Sequence, residues 1–214
     1  MEEESEAIEK AHFMWRPCNY GSIGFEKLSR RKKNTNFPLV FNHFEYIRCI
    51  CTKTGLIKSL SKYYNNNAEA KKAKYSVFQT TPTTFVSDEN IKPTHLQRAL
   101  IRHIEKHLPD KQCYKNLWLV KPECMNRGRG IEVFNSIKDI MNFVGTRNPK
   151  SRFVIQKYIE RPMLYSQRKF DIRVWALFTG DSKIYYYKPG YLRTSSDEFT
   201  TRINDNKAVH LTNN

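Results

Sequence analysis

The chain has 214 residues, 39% of them hydrophobic and 13% aromatic, with 37 Lys and Arg against 21 Asp and Glu for a formal net charge of +16. This is enough chain for one generous domain or two small ones. With no run of 18 apolar residues and an acidic opening, "MEEESEAIEK", neither a membrane-spanning helix nor a signal peptide is expected. The charge calls for an anionic partner, and nucleic acid, acidic lipid and acidic polypeptide all qualify.

Residues 1–36 read as irregular: the aromatic stretch "FMWRPCNYGSIGF" is broken by Pro17, Gly21 and Gly24, and the basic run "EKLSRRKK" follows. That run is a solvated face, a contact for the anionic partner or a targeting signal. Apolar residues thicken from Phe37 to Leu60, and "NNNAEAKKAK" (65–74) reads as a polar turn or mobile loop. A helix is expected from Pro93 to about Leu108, because proline suits a first helical position and Leu96, Leu100, Ile104 and Leu108 form a stripe. His103 and His107 stand one turn apart without a third ligand, so they read as polar neighbours of that stripe rather than a metal site. Five cysteines (Cys18, Cys49, Cys51, Cys113, Cys124) with no C-x-x-C pair fit reduced thiols in the cytosol.

After Pro109 short strands dominate: "LWLVKP" (117–122), "RFVIQKYI" (152–159), "KFDIRVWALFT" (169–179) and "KIYYYKPGYLRTS" (183–195). Between the first two, "SIKDIMNFV" (136–144) reads as a helix with Ser136 and Asp139 in a capping-box pattern. The second half is α/β, ending in a largely antiparallel run of strands.

Several charges interrupt these apolar strands: Lys121, Lys157, the alternating set Lys169, Asp171 and Arg173, and Arg193. On a strand the alternating set shares one face at spacings of about 7 Å. Each would be costly to bury without a partner, and singly each also fits a solvent-facing position. "NRGRGI" (126–131) adds a glycine loop in which Gly128 and Gly130 let backbone N–H groups approach an oxyanion. It is neither a P-loop nor a dinucleotide fingerprint. Cations gathered around such a loop suggest a polyanionic ligand.

"LWLVKP…NRGRGI", "VIQKYIERPMLYSQRKFDIRVW", "YYYKPGYLRTS" and "VHLTNN", in this order and spacing, resemble the tubulin–tyrosine ligase family over roughly residues 37–214. The resemblance implies an α/β fold of ATP-grasp type with the C-terminal part of its core missing. It divides the chain into an N-terminal segment (1–36), an N-terminal and linker portion (37–112) and a nucleotide-binding core (113–214). It also implies a cytoplasmic, cytoskeletal enzyme, in a cilium or basal body among other places. Such an enzyme uses ATP and Mg²⁺ to join a free amino acid to the acidic tails of tubulin, with no membrane or nucleic-acid partner.

Carried over residue by residue, Lys121 and Lys157 would contact ATP phosphates or the adenine rim. Arg127, Gly128, Gly130 and Ile131 would cover the phosphates, and Gln156, Lys157, Tyr158 and Ile159 would line the adenine pocket. Lys169 and Asp171 would hold base and ribose, Thr212 and Asn213 would approach phosphates and metal, and Arg173 and Arg193 would face the transferring phosphoryl group and the incoming carboxylate. The metal-holding carboxylates are expected downstream of this chain. "NHF" (42–44) resembles glutamate-adding members and "CTKTGL" (51–56) glycine-adding ones, while Asn214 stands where glutamate-adding members commonly carry an aromatic residue. Glutamate addition is the expected activity, with glycine addition and a catalytically inactive tubulin- or nucleotide-binding fragment as alternatives.

Overall fold

The structure, a computed structural model, describes residues 10–16, 40–107, 115–148, 150–202 and 206–212. The chain divides into two compact units, 1–47 and 48–214. In the first, the stretch read as irregular contains a short strand: β1 (Phe13–Met14) pairs in parallel with β2 (Val40–Phe41). Asn42 closes this pairing by accepting from the Arg16 N–H and donating to the Arg16 carbonyl, each at 2.9 Å. The basic run 26–33 lies outside the described residues.

The second unit begins with helices α1 (Arg48–Cys51), α2 (Lys53–Asn66) and α3 (Ala68–Lys72). The polar stretch 65–74 is thus mostly helical rather than a loop. Asn67 makes the difference: its backbone N–H donates to Tyr63 O, closing α2, while its side chain accepts from the Ala70 N–H, opening α3. Asparagine serves both junctions because its short amide reaches orphan helix-end groups.

Four antiparallel strands, β3 (Thr84–Ser87), β4 (Trp118–Pro122), β5 (Glu132–Phe134) and β6 (Phe153–Lys157), form the central sheet in the order β3-β6-β4-β5. Strand alternation sorts their side chains to two faces. Trp118, Val120, Phe153 and Ile155 form one core with Leu96 and Leu100 of α4 (Pro93–His107) and Ile140 of α5 (Ile137–Gly145). The helices follow their expected spans, Leu108 lying outside the described residues, and the Ser136 hydroxyl accepts from the Asp139 N–H, one half of the capping-box pattern. His103 packs edge-on against Trp118 and Phe85, as a neighbour of the stripe. The opposite face carries Thr84, Lys121, Val154 and Gln156, which with Leu56, Ile57 and Leu60 of α2 enclose a cavity of about 200 Å³.

A second sheet, β7 (Leu164–Tyr165), β8 (Arg168–Phe178) and β9 (Ile184–Thr194), is an antiparallel ribbon. Its alternation predicts one buried face. Instead both faces are open from Ile172 onward, with Ile172 at 65% and Leu177 and Tyr187 each at 61% exposure. A register shift between Arg173 and Trp175, opposite Pro189 and Gly190, also interrupts the strict alternation. Cys49, Cys51 and Cys124 are unpaired thiols. Among the described residues no helix is long and apolar enough to cross a membrane.

Leu100 is fully buried in the core, so Leu100→Ala should destabilise the chain by about 2–5 kcal/mol. Leu177→Ala, on the open ribbon, should change stability by no more than about 0.5 kcal/mol. Urea unfolding of the two variants checks this contrast.

Candidate functional site

The glycine loop leaves the end of β4 and returns into β5. Arg127, Gly128 and Gly130 take φ values of 54°, 71° and 68°, so three of its residues lie in the left-handed region. Glycine enters that region freely, whereas Arg127 pays roughly 1–2 kcal/mol for it. Position 130 is restricted twice over, since a Cβ there would lie 2.9 Å from both Met125 Sδ and Pro122 Cγ. The loop's own bonds are short-range, Arg129 N–H to Asn126 O at 3.1 Å and Ile131 N–H to Gly128 O at 3.3 Å.

Beside the loop stands a row of ammonium groups. Burial, and then the charge of Lys53, push Lys121 down to about 8. Burial, and then the charge of Lys121, push Lys169 down to about 8 as well. Lys121 Nζ donates to Gln156 Oε1 at 2.6 Å, and Gln156 Nε2 donates in turn to Thr84 Oγ1 at 3.0 Å. Lys169 Nζ sits 4.2 Å from the centre of the Tyr158 ring. Neither lysine forms an ion pair with a carboxylate among the described residues. Like charges held together in partial burial are favourable only with an anion to neutralise them.

The nearest carboxylate on the ribbon is already committed. Asp171 receives Arg193 through Nε and Nη2 at 2.7 Å each, and the Thr212 hydroxyl at 2.6 Å. Burial would raise its pKa, but these hydrogen bonds and the charges of Arg193 and Arg173 outweigh burial and hold it below the ordinary value. β8, β9 and the "HLTN" segment are thereby joined at one carboxylate.

The predicted residues separate into two sets. Lys121 with Gln156, Lys169 with Tyr158, and Asp171 with Arg193 and Thr212 form three bonded groups, the first two also coupled by the charge of Lys121 on Lys169. Lys157 is not among them: opposite Trp118 in register, it reaches the helix side of the sheet. There its ammonium donates to Leu117 O at 3.0 Å and pairs with Glu160. Ile159 is exposed, Arg173 is exposed on β8 opposite Tyr191, and Asn213 lies outside the described residues.

Two residues went unread in the sequence. Glu160 is buried and accepts the backbone N–H groups of Lys115 and Leu117 at 2.7 and 2.8 Å, tying the start of β4 to the end of β6. His210, buried within "HLTN", makes a 2.9 Å hydrogen bond between its Nδ1 and the Tyr158 hydroxyl, and its Nε2 has no partner among the described residues. Burial and then the charge of Lys169 lower its pKa, favouring the neutral ring. Both stand inside stretches that carry the family resemblance, but a single His or Glu has no spacing signal of its own, and the tertiary contacts single them out.

The loop and ammonium row suit a polyphosphate, with cations and left-handed backbone on offer. Among the described residues no three His, Cys, Asp or Glu side chains converge, so the metal-holding carboxylates expected from the resemblance are not found there.

A family model described as "Tubulin-tyrosine ligase family" matches residues 31–214. Relatives include "Tubulin glycylase 3C" of Tetrahymena thermophila, 45% identical over 101 residues, covering 46% of this chain and 9% of the relative. "Tubulin glycylase 3A" of Drosophila melanogaster is 42% identical over 120 residues, covering 54% and 12%. "Probable tubulin polyglutamylase TTLL2" of Mus musculus is 28% identical over 214 residues, covering 99% and 35%. The chain therefore spans about a tenth to a third of the length of these relatives.

The lowered lysine pKa values have a testable sign. In the unfolded chain both lysines titrate near the ordinary value of about 10.4. Between about 8 and that value the unfolded state binds more protons, so the contribution of Lys121 and Lys169 to stability rises with pH. Relative to a Lys121→Met, Lys169→Met double variant, the native chain should gain stability from pH 8 to pH 10 in denaturant titrations. Parallel pH profiles for the two proteins would overturn the charge row.

Proposed function

The chain belongs to the tubulin-tyrosine ligase family, and from that premise we propose that it binds ATP in the service of joining an amino acid to carboxylates of acidic tubulin tails. The observation that carries this reading is the ammonium row of Lys121 and Lys169, which has no carboxylate partner among the described residues and runs beside a loop with three left-handed residues. We read the mixed helix and strand architecture as ATP-grasp, in an enzyme associated with the cytoskeleton, with the central sheet and the ribbon on either side of the nucleotide.

When bound, ATP would supply the γ-phosphoryl group that converts a tail carboxylate into an acyl phosphate with ADP leaving, and an amino group would then attack the acyl carbon, forming the amide and releasing phosphate. The chain's residues do the electrostatic work. Lys121 and Lys169 take the nucleotide's negative charge, and both revert toward their ordinary pKa as the anion neutralises the row. Backbone N–H groups of Arg127, Gly128 and Gly130 face the phosphates, with Asp171 at the ribose side and Thr212 toward the phosphates. Arg173 and Arg193 stabilise charge that grows on the transferring group and orient the incoming carboxylate, a task for which the planar guanidinium fork is suited. The net charge of +16 steers the protein toward glutamate-rich tails. Exposed contacts for those tails include Lys71, Lys72 and Lys74 near the end of α3 and Lys188 on β9.

On the motif reading the added amino acid is glutamate. The 42–45% identity to proteins named tubulin glycylases favours glycine as a second reading. Incubating the protein, ATP and microtubules with labelled glutamate or labelled glycine separates the two: the amino acid that enters tubulin names the activity. Entry of neither would leave nucleotide-dependent tubulin binding as the function.

Lys121→Ala and Lys169→Ala should each weaken ATP binding at least tenfold, about 1.4 kcal/mol, by calorimetric titration; wild-type affinity in both would sink the nucleotide assignment. Arg173→Lys and Arg193→Lys should lower kcat while leaving ATP affinity within about twofold, because the proposed charge partner develops in the transition state. Near wild-type kcat in both variants would remove these arginines from the chemistry.

A further inference from the structure

The glycine loop has few bonds of its own, yet the segment entering it is held at several points from one place. Lys53, the first residue of α2, directs its ammonium at three carbonyls within four residues of chain: Pro122 O at 2.9 Å, Glu123 O at 3.3 Å and Met125 O at 2.6 Å. An ammonium has three N–H donors, and three carbonyls satisfy them. Its neighbour Thr54, 3% exposed, donates its hydroxyl to the Glu123 carboxylate. That carboxylate also lies 3.6 Å from Arg152, whose carbonyl accepts the Glu123 N–H at 2.9 Å.

The first turn of α2 is itself rigidly placed. Thr52 caps it by accepting the Gly55 N–H. Position 55 admits only glycine, since a Cβ there would lie 2.1 Å from Arg48 O and 2.6 Å from Thr52 Oγ1. A mid-turn glycine costs a helix about 1 kcal/mol. Here it lets α2 start directly against α1, which fixes where Lys53 and Thr54 point. The tetrad Thr52-Lys53-Thr54-Gly55 is thus a cap, a cation, a hydroxyl and a close-approach glycine acting on one loop.

We propose that Lys53, assisted by Thr54, is the positioning residue that fixes the glycine loop over the nucleotide phosphates, and that it also extends the ammonium row through Lys121. This rests on the ATP reading above. The loop's left-handed residues begin two positions after Met125, the last carbonyl Lys53 holds. Releasing that carbonyl removes the anchor at the loop's entrance, from which the left-handed residues start. Because both effects act at the phosphates, Lys53 discriminates ATP from adenosine rather than strengthening both.

The test uses Lys53→Met and Lys53→Arg. Amide hydrogen exchange across residues 123–131 should speed at least tenfold in Lys53→Met without nucleotide, with exchange in α4 unchanged. ATP affinity should fall at least tenfold and adenosine affinity by less than twofold, and Lys53→Arg should restore part of the ATP affinity. Unchanged exchange at 123–131 overturns the anchor. Equal losses for ATP and adenosine overturn the phosphate role and leave a merely structural lysine. Should Lys53→Met fail to fold, Thr54→Val keeps the ammonium and removes only the Glu123 bond, and should still raise exchange at 123–131 about threefold; no rise overturns the anchor. If wild-type chain binds no ATP, the ATP reading fails, while the exchange result still decides the anchor by itself.

Discussion

Repulsion among half-buried ammonium groups is the constraint around which this unit is arranged. Lys53, Lys121 and Lys169 lose hydration where they stand, and each of the latter two feels the charge of the one before it. A fold that only needed stability would spread such groups into water or set a carboxylate between them. Here the available carboxylates are engaged elsewhere, Asp171 with Arg193 and Glu160 with Lys157. The remaining compensation comes from neutral acceptors: Gln156 Oε1 at Lys121, the Tyr158 ring at Lys169, and main-chain carbonyls at Lys53. Neutral acceptors hold a cation in place without cancelling its charge, and the positive potential stays available to a ligand.

The two committed carboxylates do a different job. Glu160 accepts two backbone N–H groups at the start of β4 while pairing with Lys157, and it joins segments more than forty residues apart. Asp171 gathers β8, β9 and Thr212 in the same way. In both cases burial raises the pKa, and hydrogen bonds and nearby cations more than reverse it. Both are fully effective above the ordinary carboxylate range and are lost as pH falls through their lowered values. Fixing the ends of β4, β6 and β8 fixes the strand positions from which Lys121, Gln156 and Lys169 project.

The ribbon of β8 and β9 carries bonded charges at one end and open apolar surface at the other. Near Lys169, Asp171 and Arg193 its side chains are partly buried and bonded; beyond the register shift at Arg173 and Trp175 they are open on both faces. Aromatic pairs, Trp175 with Tyr187 and with Tyr191, give that half its internal contacts. Each such pair adds roughly 0.5–1.5 kcal/mol beyond area burial.

Local pattern determined much of this protein. The stripe of Leu96, Leu100 and Ile104 and the Ser136 cap specify α4 and α5, and β-branched and aromatic runs specify β4, β6, β8 and β9, because these signals act between near neighbours. The charges that interrupt those runs, and the glycine pair 128 and 130, marked the candidate site for the same reason: each violates the pattern around it. The residues 65–74 misled because polar composition does not distinguish a loop from a short helix that one asparagine caps. What only the tertiary structure decided is which charges face one another. Lys121 and Lys157 both interrupt apolar strands, but strand register sends one toward α2 and the other toward Trp118 and Glu160. Lys53, Glu160 and His210 lie inside stretches that carry the family resemblance, but nothing in the local pattern singled them out, because their roles rest on contacts across 43 to 72 residues, and a periodic pattern reaches only as far as the helix turn or strand repeat that generates it.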